Sequence, residues 1–287
     1  MAAPEHFLAA GNRLGEGPLW HAQEEALYWV DIEGEKFHRY QAKTDKLDTF
    51  QVGQPVGFLA FRVNTGLLMG LRDGIGIWDW ETKSIEIIAN PEAGRKGARI
   101  NDGRVDSRGR LWAGTIGEDS QSKLYRLDPD HTLHTMETGI TISNGIGWSP
   151  DERIMYYTDS PLRVIYAYDF DPDSGEIENR RDFVQVPLTE GSPDGLTVDS
   201  DGCVWSAQWD GWRVTCYDPD GKVERVIPLP VQRPTSCAFG GSNLDQLYIT
   251  SAWTGLSDKD RREQPFAGDL FVLDAGVKGQ MENEFFV

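Results

Sequence analysis

The 287-residue chain carries 46 acidic against 28 basic residues, a formal net charge of −18. A surface of that sign repels phosphate backbones and anionic membranes, which argues against nucleic-acid or membrane partners and favours cations. Hydrophobic residues at 39% and aromatics at 11% supply a sizeable core, and no run approaches the roughly 20 apolar residues of a membrane span.

The opening Met-Ala-Ala-Pro-Glu-His has no basic segment followed by an apolar one, so no secretory signal is expected and the protein is read as cytoplasmic. Three cysteines, Cys203, Cys216 and Cys237, cannot all pair within one chain. Cys203 and Cys216 are spaced to be neighbours across one hairpin, but reduced thiols suit a cytosolic protein better.

Along the chain one pattern recurs: a turn, then a short run of large apolar or aromatic residues ending in a small one. It reads Leu-Tyr-Trp-Val at 27–30, Leu-Leu-Met-Gly at 67–70 and Leu-Trp-Ala-Gly at 111–114. It returns as Met-Tyr-Tyr-Thr at 155–158, Val-Trp-Ser-Ala at 204–207 and Leu-Tyr-Ile-Thr at 247–250. Successive runs lie 40, 44, 44, 49 and 43 residues apart, the spacing of four-stranded propeller blades. Between them, strand-like runs at 123–127, 164–170 and 213–217 each stop at Asp-Pro-Asp, as hairpins require. No dozen residues keep a helical period. The expectation is therefore an all-β, six-bladed β-propeller occupying residues 1–287 as one domain. Its ring would be closed by residues 6–10 lying as an outer strand beside 269–273.

Nine to eleven residues upstream of four of the runs stands a polar residue followed by glycine: Glu16-Gly17, Asp102-Gly103, Asn144-Gly145 and Asp194-Gly195. The other two blades have Val56-Gly57 and Ser236-Cys237 there. A lone Asx-Gly pair is an ordinary turn. Four in matched register, one of them with a Glu that has no turn role, converge on one end of the central channel when the repeat is rotated about its axis. Carboxylates brought that close either protonate or bind a cation. The all-oxygen group Glu16, Asn144 and Asp194 suits Ca²⁺, Mg²⁺, Mn²⁺ or, less typically, Zn²⁺.

Several of these segments together resemble the regucalcin (senescence marker protein)/gluconolactonase family. They are Leu-Gly-Glu-Gly-Pro-Leu-Trp at 14–20, Arg-Ile-Asn-Asp-Gly-Arg-Val-Asp at 99–106, Ile-Ser-Asn-Gly-Ile-Gly-Trp at 142–148 and Pro-Asp-Gly-Leu at 193–196. Thr-Ser-Cys-Ala-Phe-Gly-Gly at 235–241 and Gln-Pro-Phe-Ala-Gly-Asp-Leu-Phe at 264–271 add to them, so the likeness runs from about residue 12 to the C-terminal end. The resemblance implies a six-bladed propeller that opens sugar-acid lactones with one divalent metal ion. It implies Glu16, Asn144 and Asp194 as metal ligands, Asp194 also as the acid/base, and Arg99 and Asn101 as substrate contacts. An acidic substrate contact falls on Glu118 or Asp119. The loop from 114 to 123 is shorter here than in animal members, and Trp209, Trp212 and Trp253 stand where members vary, so the identity of the sugar does not carry over.

The chemistry follows from the residue types. A lactone is an activated ester; a metal polarises its carbonyl and acidifies water, and Asp194 can take and return a proton. Arg99 and Asn101 offer donors to substrate oxygens or to a developing oxyanion. Trp209 and Trp253 are candidates to line the cleft. No Gly-x-Ser-x-Gly, His-Glu-x-x-His, Cys-x-x-Cys or phosphate-cradling loop occurs. With Arg99 the one evident cation beside the pocket, neutral aldonolactones of five or six carbons are expected, from a monomer or weak homo-oligomer. The alternatives are a non-catalytic calcium- or protein-binding propeller and a uronic or aldaric lactonase.

Overall fold

The computed structural model describes residues 3–63, 66–118 and 120–286. Its strands follow the repeat. β1 (Glu5–Leu8) precedes blade 1, which is β2 (Gly15–His21), β3 (Ala26–Asp31), β4 (Lys36–Gln41) and β5 (Lys46–Gln51). Blade 2 is β6 (Val56–Phe61), β7 (Leu67–Leu71), β8 (Gly74–Trp78) and β9 (Ile85–Ala89). Blade 3 is β10 (Arg99–Val105), β11 (Leu111–Ile116), β12 (Ser122–Leu127) and β13 (Leu133–Ile140). Blade 4 is β14 (Ser143–Trp148), β15 (Ile154–Asp159), β16 (Val164–Asp171) and β17 (Glu176–Gln185). Blade 5 is β18 (Ser192–Val198), β19 (Val204–Trp209), β20 (Arg213–Tyr217) and β21 (Val223–Pro228). Blade 6 takes β22 (Pro234–Gly240), β23 (Gln246–Ser251) and β24 (Leu270–Asp274).

The sixth blade has only three strands of its own, and β1 completes it by pairing antiparallel with β24. The expected closure of the ring is thus observed. Helix among the described residues amounts to one 3₁₀ turn at Leu188–Glu190 and α1 (Asp258–Glu263). No helix of the described residues is long and apolar enough to cross a membrane.

The recurring apolar runs are the second strands, β3, β7, β11, β15, β19 and β23. Each is sandwiched between neighbouring blades, so both of its faces are apolar rather than alternating. Trp112 and Trp205 occupy corresponding places there, Trp29 stands one position further along its strand, and all three are fully buried. The six innermost strands share one irregularity: each slips register against its second strand at or beside the position where the sequence has its polar-Gly pair. These are β-bulges, which re-aim side chains and are common next to active sites. The glycines let adjacent strands close on the axis. A Cβ on Gly145 would lie 2.7 Å from the carbonyl oxygen of Asp194, and one on Gly57 2.3 Å from that of Asn101.

After β24 the chain turns back beneath the ring. The carbonyl of Lys278 accepts from the Ser200 amide at 2.8 Å, and Gln280 donates to the carbonyls of Trp148 and Val198 at 3.1 and 3.3 Å. Glu282 pairs with Arg104, Asn283 donates to Val105, and Phe285 bridges to Arg62. This strap crosses the ends of innermost strands from four blades. The channel space above it, about 40 Å³, holds a water or so and is far too small for a sugar. Substrate access is therefore confined to the opposite end of the channel. Phe285 is 0% exposed within the core of blades 2 and 3. Phe285→Ala should cost about 3–5 kcal/mol of unfolding free energy, read by urea denaturation.

Candidate active site

At the open end of the channel the bulged positions of β2, β10, β14 and β18 bring Glu16, Asn101, Asp102, Asn144 and Asp194 together. Glu16, Asn101, Asn144 and Asp194 are buried, each at 6–8% exposure. Glu16 and Asp102 each turn one carboxylate oxygen back to the amide of the following glycine, at 2.9 and 2.7 Å.

Burial raises all three carboxylates, and neighbouring negative charge adds to it at Glu16 and Asp194. Burial holds Glu16 well above the usual carboxylate range, and the nearby charges of Asp194 and Asp102 push it further. Burial and then Asp102 do the same to Asp194. Asp102 itself is pushed up to about 6, chiefly by burial, with Arg104 opposing. None of the three forms an ion pair within 4.0 Å among the described residues. Arg99 is the cation that faces them. Its burial draws the guanidinium down to about 10, against the pull of Glu16, Glu33 and Asp194.

A chain of polar contacts fixes the amides. Arg99 Nη1 donates to Asn101 Oδ1 at 2.6 Å. Asn101 Nδ2 donates to the Ser143 carbonyl at 2.7 Å and to Asn144 Oδ1 at 3.1 Å. Asn144 Nδ2 donates to Ser160 Oγ at 2.8 Å. Asn101, expected as a substrate contact, thus spends both amide hydrogens inside the protein and sets the orientation of Asn144. The Asn144 oxygen keeps one of its two lone pairs for a ligand.

Two aspartates that sequence reasoning passed over hold the loops that deliver these residues. Asp31, at the end of β3, accepts from the amides of Leu14 and Gly34 at 3.1 and 3.0 Å, which fixes the approach to Glu16. Asp159, at the end of β15, accepts from Thr141 and Ile142 at 2.8 and 3.2 Å, which fixes the approach to Asn144. Their signal was present: both follow the recurring aromatic run, as Trp-Val-Asp and Tyr-Thr-Asp.

The outer candidates lie elsewhere. Glu118 is exposed, its carboxylate resting against Gly97, where an added Cβ would meet it at 2.9 Å. Asp119 lies outside the described residues. Trp209 and Trp253 are both half-buried, and each is covered by an arginine, Arg233 at 4.6 Å and Arg261 at 3.8 Å. Beside Arg99 opens a cleft of about 560 Å³ whose wall also carries Arg72, Arg95 and Lys96. Arg99 is therefore not the one cation near the pocket.

Six bulged blades, four of them carrying acids or amides on the axis, define a propeller with an oxygen-lined site at one channel mouth. Comparison with known proteins places it further. The family described as SMP-30/Gluconolactonase/LRE-like region matches residues 14–276, and the chain belongs to that family. It is 34% identical to regucalcin of Xenopus laevis, over 93% of each chain. It is 38% identical to a 6-deoxy-6-sulfogluconolactonase of Pseudomonas putida, over 95% of this chain and 94% of that one. Among solved structures, a calcium-binding protein, regucalcin, from Agrobacterium tumefaciens superposes over the whole of both chains with a TM-score of 0.94 at 25% identity.

Proposed function

We propose that this protein is a cytoplasmic, metal-dependent hydrolase that opens aldono-lactones of five or six carbons to the free acids. One observation carries the reading. Glu16 and Asp194 are buried together, repel one another, and have no ion-paired cation among the described residues. Burying carboxylates in that way is costly unless a cation joins them. An oxygen-only set of Glu16, Asp194 and Asn144 fits a hard or borderline divalent ion. The regucalcin likeness supports calcium, and the lactonase likeness supports ester chemistry.

Glu16, Asn144 and Asp194 would hold the ion, which when bound supplies Lewis acidity and a more acidic water. The chain's own groups do the rest. Asp194 takes a proton from the attacking water and returns one to the ring oxygen as it leaves. Arg99 points donors at the carbonyl oxygen, whose charge grows in the transition state. The Arg99–Asn101–Asn144 contacts hold the site in one geometry, so little reorganisation is needed during reaction. The strap beneath the channel keeps solvent from entering at the closed end.

A lactone panel followed with a pH indicator tests the reading. Turnover should vanish with chelator and return with Mn²⁺, Zn²⁺, Mg²⁺ or Ca²⁺. Full turnover after thorough demetallation would remove the metal from the mechanism. No turnover of any lactone by the metal-loaded protein would leave a calcium-binding propeller instead. Arg99→Ala should lower turnover by about 10²–10³, the usual loss for one oxyanion donor, with metal affinity nearly intact. A loss of metal binding equal to that of Glu16→Ala would mean that Arg99 supports the ion and not the substrate.

A second reading has its own support. In the cleft wall Arg72 and Arg95 pair with Asp73 and Glu92, which leaves Lys96 beside Arg99 to meet a lactone carrying an anionic substituent, and one relative is a sulfogluconolactonase. Paired neutral and anionic lactones in the same panel separate the two by kcat/KM.

A further inference from the structure

Blades 3 and 5 are built on one plan at the closed end of the channel. In blade 3, Asp106 follows β10 and accepts from the amides of Arg108 and Arg110 at 2.9 and 3.1 Å and from the indole of Trp112 at 2.8 Å. In blade 5, Asp199 follows β18 and accepts from the amides of Asp201 and Cys203 at 3.0 and 2.8 Å and from the indole of Trp205 at 2.8 Å. The spacing of the three positions is the same in both.

The blades differ in what neutralises the acid. In blade 3 the Arg110 guanidinium takes the remaining acceptor site of Asp106 at 2.7 Å, and Arg126 faces Trp112 across β11–β12. In blade 5 those two positions are Cys203 and Cys216, the latter facing Trp205 across β19–β20. Asp199 is 2% exposed and forms no ion pair among the described residues. Three of its roughly four acceptor sites are used. Asp199 thus has the scaffold of Asp106 without a guanidinium bonded to it, the Arg225 guanidinium lying over the Trp205 ring at 5.5 Å.

Around it stand the donors a metal would need. One carboxylate oxygen of Asp199 and the sulfurs of Cys203 and Cys216 all lie within 4.8 Å of one another. Glu224 reaches in from the surface, its Oε2 accepting from the Cys203 thiol at 3.1 Å while Oε1 lies 3.6 Å from Arg225. Both thiols are free. Tetrahedral zinc, with Zn–S near 2.3 Å, holds its ligand atoms about 3.5–4 Å apart, so the three donors need to close by at most about 1 Å.

We infer that Asp199, Cys203, Cys216 and Glu224 form a second cation site, selective for a soft divalent ion such as Zn²⁺ and separate from the oxygen cluster at the other end of the channel. Thiolate selects zinc over calcium or magnesium. Binding forms two Zn–S bonds and releases the two thiol protons to solvent, with no change of oxidation state. Burial pushes the Cys203 thiol up to about 12 and raises Cys216 as well, so both are protonated in the ion-free chain. Two protons lost per ion make the apparent affinity climb about a hundredfold per pH unit near neutrality.

Co²⁺ added to the reduced full-length protein should give a thiolate-to-cobalt charge-transfer band that strengthens with pH and is displaced by Zn²⁺ but not by Ca²⁺. Cys203→Ser and Cys216→Ser should abolish the band and remove one equivalent of bound Zn²⁺, leaving bound Ca²⁺ and lactone turnover unchanged. Glu224→Gln, on the surface and safe for folding, should weaken Zn²⁺ binding about 10–100-fold. A wild-type protein with no thiolate band overturns the inference, as does an undiminished zinc stoichiometry in the serine variants. The wild-type spectrum decides even if those variants fail to fold.

Discussion

Asp194→Asn is expected to yield a folded protein that still binds a divalent ion, more weakly, but turns over lactones roughly 10²–10⁴ times more slowly. The substitution keeps the shape of the side chain and one carbonyl oxygen for the ion, and removes the group that can hold a proton. Asp194 is 6% exposed, so no bulk water stands ready to replace it as a base. The comparison needs saturating metal, because lost occupancy would otherwise imitate lost chemistry. Asn144→Asp is the matched control: it adds charge to the ion site without touching the proposed base. It should bind the ion more tightly, damp its Lewis acidity and lose less turnover. Near-normal turnover of Asp194→Asn at saturation would reduce Asp194 to a ligand. Asp102 would then be the next base, being half-buried on the same ring of positions and pushed up to about 6, close to neutrality.

Much of this was legible in the sequence because the repeat is written in side-chain size. Second strands must be apolar on both faces, so runs such as Leu-Trp-Ala-Gly at 111–114 mark every blade, and the polar-Gly pairs mark four of the six innermost strands. The glycine is required where strands crowd the axis, which is why it recurs in the same register in five of the six blades, Cys237 standing in the sixth. The bulges at those positions were not legible, since a bulge is a property of pairing and not of composition. Nor was the role of Arg104. It occupies a position that holds Phe58, Ile146 and Leu196 in other blades, so a buried charge was signalled, but its partner Glu282 lies 178 residues away on the strap. The commitment of Asn101 to Asn144 was hidden for the same reason: residue type names a donor, and only geometry shows where it is spent.

The oxygen cluster also makes a stability prediction whose sign reverses with the metal. Glu16 is held far above the ordinary carboxylate range, first by burial and then by Asp194 and Asp102. A carboxylate raised in the folded state favours folding at low pH, where it is protonated in both states, and that contribution is lost as pH climbs through the raised value. In chelator at pH 8, well above the ordinary carboxylate range, Glu16 therefore works against the fold, and Glu16→Gln, neutral and of the same size, should melt at a higher temperature than wild type. At pH 4 the two should converge. Saturating metal inverts the order, because the wild-type carboxylate then faces a cation and the glutamine offers only a dipole. If losing this ligand weakens the ion about a hundredfold, the variant forfeits about 2.7 kcal/mol of metal-linked stability at a fixed concentration well above both dissociation constants. Differential scanning fluorimetry of both proteins, with chelator and with excess Ca²⁺ or Mn²⁺ at pH 4 and pH 8, reads all of these conditions. A wild type that melts above Glu16→Gln in chelator at pH 8 would mean that Glu16 is balanced by the protein itself, through Arg99, and needs no ion.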